Sequence, residues 1–246
     1  MNSFRKIILT IFTTTIFSCS FGQTVRTLKP ALGTAYNYSR QEQEMWQEVL
    51  KKYPKMASGD LAYKDLSPKD KELMDSLENG DGPMTEGIGC SWYCGGEMYK
   101  VTSDSYLKAQ GNVNYKPENI HDFNLFTAWV PDTTHGGIGK KISFHFKPLS
   151  PSVTEIIIYN GYIKNYDLFK SNSRVKKFKL YINNALYAIL DVGDTTASKT
   201  FKIGPHQSRD KKKDLILTLE ILEIYKGTKS NDVAVSEINF NGIDVH

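Results

Sequence analysis

Only three cysteines occur among the 246 residues, and no apolar run approaches the roughly 18 residues a membrane-spanning helix requires. The first scarcity excludes a disulfide-dense mini-protein, and the second excludes a multi-pass membrane protein. Charge of one sign is scarce too. Thirty-one Lys and Arg face 27 Asp and Glu, and two of the cations, Arg5 and Lys6, belong to a leader. So small a surplus gives no argument for nucleic acid. Catalytic signatures are missing as well. No two of the five histidines (His121, His135, His145, His206, His246) are spaced i, i+4, and there is no HExxH, no GxSxG and no phosphate-binding loop. Gly136-Gly137-Ile138-Gly139 precedes a strand pattern, so no helix N-terminus faces an anion there, and it is read as a tight loop. What the chain does have is 40% hydrophobic and 12% aromatic residues, enough for a packed core and too apolar for disorder.

Residues 1–22 read as an export signal: Arg5-Lys6 followed by an apolar run from Ile7 to Phe17. Two processing routes fit. Ser20-Phe21-Gly22 permits cleavage after Gly22, giving a secreted protein. Ile16-Phe17-Ser18-Cys19 resembles a lipobox, which would leave a lipoprotein anchored through Cys19. Either route takes the protein out of the cytoplasm. Export leaves Cys90 and Cys94 as a pair in an oxidising compartment, read as a structural disulfide closing a small loop. A loop of that size is worth about 2 kcal/mol in the chain-entropy picture. A redox pair would want two intervening residues, and half a zinc site finds no second cluster of ligands nearby.

The organisation is a helical lead on a β-rich body: leader 1–22, extended arm and helices 23–85, sandwich 86–246. Ser39-Arg40-Gln41-Glu42 is a capping box, after which Met45, Trp46, Val49, Leu50 and Tyr53 form one helical stripe that Pro54 is expected to stop. Ser67 and Pro68 open a second helix ending at Asn79-Gly80. Trp46 is expected to anchor these helices to the β-rich body. Strands are predicted over 141–147, 154–160, 176–183, 185–192, 214–225 and 233–240, with Asn183-Asn184 as a tight hairpin turn. The run Arg209-Asp210-Lys211-Lys212-Lys213-Asp214 is read as a solvated hairpin loop. Antiparallel strands with no strong helical pattern after residue 100 give a mainly β sandwich.

Cys90-Ser-Trp-Tyr-Cys-Gly-Gly96, Thr127-Ala-Trp-Val130, Gly136-Gly-Ile-Gly139 and Asn160-Gly-Tyr162 together resemble the NADase-type glycan-binding domain family, over residues 86–243. Its fold is a discoidin-like, galactose-binding-like sandwich. The stretch Asn119–Trp129, Asn172-Ser173-Arg174 and Ser236-Glu237-Ile238 add to the likeness. Lys140-Lys141 stands where this family usually carries an acidic residue, which departs from its pattern. The resemblance implies an eight-stranded jelly-roll whose end loops bind a carbohydrate. Trp129, Asn160, Tyr162, Lys164, Asn172 and Arg174 would supply aromatic faces and planar hydrogen-bonding groups. Trp129 reads equally as buried core, and Arg174 as an ion-pair partner fixing a loop. A structural calcium would take Asp122, the carbonyl of Asn124, Thr127 and Glu237, the last being out of phase with the apolar Ile238 and Phe240. Asp122 also reads as a turn-forming carboxylate.

The function expected is a secreted, non-catalytic glycan-binding module, with a glycan or glycoconjugate as partner. Two alternatives stand beside it: an envelope scaffold that binds proteins, and a hydrolase related to NAD glycohydrolases. The latter is disfavoured because residues 23–85 are too few for a catalytic domain.

Overall fold

The computed structural model describes residues 25–79, 82–83, 98–132 and 134–243. The leader over 1–22 with Cys19, and the Cys90–Cys94 pair, lie outside the described residues. Among the described residues there are ten strands in two sheets. The arm gives β1 (Thr27–Leu28) and β2 (Ala31–Ala35). The body gives β3 (Met98–Ser103), β4 (Lys141–Phe146), β5 (Val153–Asn160), β6 (Arg174–Ile182), β7 (Ala185–Asp191), β8 (Ala197–His206), β9 (Leu215–Tyr225) and β10 (Val235–Gly242). The first sheet runs β1-β7-β6-β9-β4-β3 and the second β10-β5-β8-β2. The body thus supplies eight strands, and the arm adds one to each sheet: β1 parallel to β7, β2 antiparallel to β8.

Alternation drives this arrangement. Ile142, Phe144 and Phe146 of β4 face Ile156 and Ile158 of β5, Phe178 and Leu180 of β6, and Ile238 and Phe240 of β10 in one buried core. The opposite face of the larger sheet is solvated and carries charge pairs, Lys177–Glu223 and Lys179–Glu220 at 2.7 Å each. β9 lies inside its sheet, as its nearly continuous apolar sequence requires. Asn183 and Asn184 take φ of 48° and 68°, the geometry of a tight hairpin turn.

Several expectations need correction. The lead's first helix, α1 (Arg40–Ala57), runs through Pro54. Pro54 opens the last turn, where it has no N–H to offer the Leu50 carbonyl; its own carbonyl still accepts from Ser58, and the helix ends within one turn of it. The charged run 209–214 joins β8 to β9 across the two sheets and is not a hairpin. β3 and β8 escaped the sequence reading; the pattern of β8 is broken by a buried Lys199 and by Gly204-Pro205. The second lead helix, α2 (Pro68–Glu78), is as expected, with Ser67 as its N-cap and Asn79 as its C-cap. A short helix, α3 (Tyr166–Ser171), interrupts the β5–β6 connection.

Three residues expected to contact sugar are structural instead. Trp129 has no exposed surface; its backbone pairs with Val235 and its indole N–H donates to the Ser105 carbonyl at 3.3 Å. Asn160 is fully buried and bonded to both backbone groups of Val175, donating to the carbonyl at 2.7 Å and accepting from the amide at 3.1 Å. Arg174 grips Asp194 through two contacts of 2.6 and 3.0 Å, and donates to the carbonyls of Phe169 and Asn172. Between them Gly161 holds φ 88°, and a Cβ there would meet the Phe169 ring at 2.7 Å. Asn160 and Arg174 therefore tie the 160–174 connection to the sandwich, and all three side chains have almost no surface left for a ligand.

Two substitutions test these buried polar groups. Arg174→Ala leaves the carbonyls of Phe169 and Asn172 without their buried donor and removes the partner of a partly exposed Asp194 carboxylate, so a loss of about 1–3 kcal/mol in unfolding free energy is expected; a loss under about 0.5 kcal/mol would contradict the structure. Lys199 has no exposed surface, and its ammonium donates to the carbonyls of Thr195 and Ala197. Burial pushes its pKa down to about 8. An unfolded lysine titrates near about 10.4, so between about pH 8 and 10 the unfolded chain binds the extra proton and stability rises with pH. Relative to Lys199→Met, the wild-type protein should gain on the order of 1–3 kcal/mol across that window, read by denaturant unfolding at each pH. A pH-independent difference would contradict it.

Candidate functional site

The loop end of the sandwich is built from the long β3–β4 connection, the β5–β6 connection and α1. Pro117–His121 forms a 3-10 turn that buries Ile120 in the core, while the Asn119 amide donates to the carbonyls of Asn114 and Ala128. The chain then reverses at Phe123, with φ 60°. Asp122 accepts from the Asn124 amide at 3.0 Å, and the Asn124 side chain accepts from the Phe126 amide at 2.9 Å. Short polar side chains folding back on their own backbone are what this Asp-Phe-Asn sequence favours.

The four residues expected to hold calcium come together here. Thr127 Oγ1 lies 2.9 and 2.8 Å from the two Asp122 carboxylate oxygens and 2.9 Å from the Asn124 carbonyl. One hydroxyl proton can satisfy only one of those three oxygens. Glu237, with no exposed surface, accepts from the Asp122 amide through Oε2 at 3.3 Å. Its Oε1 is buried without a hydrogen bond, the His121 ring nitrogen being 3.7 Å away. Burial raises the Asp122 carboxyl to about 6. Burial, and then the Asp122 charge, push Glu237 well above the carboxylate range. Oxygens crowded on oxygens, with an orphaned buried carboxylate atom, are what a hard cation would relieve. Among the described residues no cluster of three His, Cys, Asp or Glu side chains placed to hold a metal exists. The set here has two carboxylates, completed by a hydroxyl and a carbonyl.

Beside this cluster lies a cleft of about 630 Å³, walled by Gln47, Leu50 and Lys51 of α1, by the loop Asn112-Val113-Asn114, and by Lys164. Its floor is Phe126 and Tyr162, both largely buried. The Tyr162 hydroxyl donates to the Phe126 carbonyl at 3.4 Å, and burial lifts its pKa to about 12, so it stays neutral. Lys164 is half-buried, and burial holds its ammonium below the usual lysine value. α1 reaches this place because Trp46 and Val49 pack with Phe126, and because the Asn165 amide donates to Gln43 at 2.6 Å.

Of the six residues expected to contact sugar, Tyr162 and Lys164 line the cleft. Trp129, Asn160 and Arg174 belong to the scaffold. Asn172 donates to the Leu168 carbonyl at 2.9 Å, where it caps α3, and does not line the cleft. The sequence reading missed Gln47, Lys51, Asn112 and Asn114. The turn-forming stretch Gln110-Gly-Asn-Val-Asn114 was a signal for a loop carrying Asn112 and Asn114. Nothing in the pattern of α1 pointed its Gln47 and Lys51 at the sandwich.

A second cleft, about 730 Å³, opens at the opposite end between Asn183-Asn184 and the charged connection 207–214. Its carboxylates are engaged. Asp210 accepts from the Lys212 amide and faces Lys213 at 3.6 Å, while Asp214 accepts from the Tyr99 hydroxyl and sits 3.7 Å from His145. No aromatic side chain lines it among the described residues.

Solved structures with a similar shape include the family 32 carbohydrate-binding module of Streptococcus pneumoniae EndoD (9% identity, TM-score 0.44, covering 60% of this chain and 99% of that one). Others are the CBM32-1 and CBM32-2 domains of Clostridium perfringens ZmpB in complex with GalNAc (11%, 0.44, 85% and 53%) and a mycobacterial arabinofuranosyltransferase, AftD (12%, 0.43, 61% and 11%). The chain thus spans about a ninth of the length of the last. No curated protein matches it. The resemblance read from the sequence nevertheless has direct support, because one family model matches residues 92–241, more than half of the chain. The chain belongs to the NAD glycohydrolase translocation F5/8 type C domain family.

Proposed function

We propose that this protein is an exported, non-catalytic carbohydrate-binding module whose site is the loop-end cleft. The observation that carries the reading is the composition of that cleft. Amides from Gln47, Asn112 and Asn114 and the Lys51 and Lys164 ammonium groups surround a floor of Phe126 and Tyr162. Saccharides present hydroxyl groups around an apolar ring face, and this lining answers both. Family membership and a discoidin-like fold accord with it, although a fold by itself does not fix a function. Binding without turnover is part of the proposal: the floor of the cleft offers Phe126 and a Tyr162 phenol that stays neutral, which suits holding a sugar face. Export is proposed from the leader over 1–22, by release after Gly22 or by anchoring through Cys19. No helix among the described residues is long and apolar enough to cross a membrane.

Calcium at Asp122, Thr127, Glu237 and the Asn124 carbonyl is part of the proposal. The ion would supply the positive charge that lets both carboxylates remain ionised in a buried place. The chain's own residues do the rest: Asp122 and Asn124 fold the loop, and Glu237 ties it to β10. Since Asn124 and Thr127 also line the cleft, the loop that holds the ion shapes the sugar site.

Two experiments test this. Calcium added to chelator-stripped protein at about 100 times its dissociation constant should raise the Tm by roughly 5–10 °C, and Glu237→Gln should abolish the rise. No shift would remove calcium from the account. On a glycan array the full chain should bind a defined set of saccharides. Asn112→Trp, an exposed substitution projecting into the cleft, should weaken that binding at least about tenfold with the melting curve unchanged. Undiminished binding would place the site elsewhere.

A further inference from the structure

The family match begins at residue 92, yet one wall of the cleft comes from α1, outside it. Gln43, Gln47 and Lys51 recur at i, i+4 and i+8 and so share one helix face. Gln43 is held by Asn165, and Gln47 and Lys51 line the cleft. Lys51 carries its charge on this wall, with only an exposed ion pair to Glu48 at 2.5 Å, a pairing of little worth in water. Lys164 lines the same cleft and has no hydrogen-bond or ion-pair partner among the described residues, although it is half-buried. A desolvated ammonium without a counter-ion is costly in the free protein, and it is relieved when a ligand brings the opposite charge. Among the described residues the cleft lining carries two cations and no anion.

We infer that the ligand is an acidic saccharide, its carboxylate held by Lys164 with Lys51 adding a second positive charge from the α1 side of the cleft. This rests on the carbohydrate reading and narrows it: the helical lead is part of the site and sets its preference for anionic sugars.

The test uses the full chain in calorimetric titrations with two matched pairs of probes. Sialyllactose is compared with lactose, and an oligogalacturonate with its methyl ester, which keeps the sugar and removes the charge. The acid of at least one pair should bind about tenfold more tightly than its neutral partner, and the preference should shrink as salt is raised. Lys164→Gln should erase that preference, and Lys164→Arg should restore part of it. Lys51→Glu should weaken the acid about tenfold and the neutral partner by much less, so that the acid preference shrinks. Equal affinity for acid and neutral partner, still blocked by Asn112→Trp, overturns the inference and leaves the carbohydrate reading standing. An acid preference insensitive to Lys51→Glu overturns the role of the helix. Failure of the folded chain to bind any saccharide, on the array or in solution, overturns both.

Discussion

Glu237 is a carboxylate with no exposed surface, set on the last strand beneath the first long loop, and the loop end is organised around it. Its grip on the Asp122 amide fixes where the 119–127 turn sits on the sandwich. From Asp122 the order passes outward: Asn124 is folded back by Asp122, Phe126 is held by Asn124, and Thr127 closes on both. Two residues on, Trp129 pairs with Val235 and returns the chain to the core. A buried acid is expensive unless compensated, so its presence at this hinge is a cost accepted for position.

Phe126 carries that order to the rest of the loop end. It is at once the floor of the cleft and the apolar contact for Trp46, Val49 and Tyr38, with the Tyr38 ring set edge-on at 5.3 Å. The helical lead is therefore placed by the same turn that shapes the cleft. On the other side, Arg174 and Asn160 lock the 160–174 connection so that Tyr162 and Lys164 face the opening. Rigid side chains behind and polar side chains in front make a cleft that is already formed in the free protein, which would lower the ordering cost of binding the proposed ligand.

The sandwich was largely legible in the sequence because its information is local. Period-two alternation at Ile142-Phe144-Phe146, and the pair Asn183-Asn184, each specify an element within a few residues. β8 was hidden because Lys199, a charge that its own strand and the turn before it satisfy, stands where the pattern needs an apolar residue. The candidate site was legible only in part. Asp122, Thr127 and Glu237 were named together as what the family resemblance implies, with the phase of Glu237 against Ile238 and Phe240 as the sequence's own support. Trp129, Asn160 and Arg174 carry the residue types that bind sugars, and the same properties suit them to bracing loops from inside; only burial tells the two uses apart. Gln47 and Lys51 lie on a helix whose docking depends on Phe126, some 75–80 residues away in the chain. No local pattern could place them.

The most direct test of the central claim, that one pre-formed cleft joins the helical lead to the sandwich loops, is amide hydrogen exchange on the full chain with and without saturating oligogalacturonate. The account predicts slowed exchange confined to 43–51, 110–116, 124–127 and 162–165, with the opposite end at 207–216 unchanged. Protection centred on 207–216, or on the sandwich loops with none on α1, would contradict it.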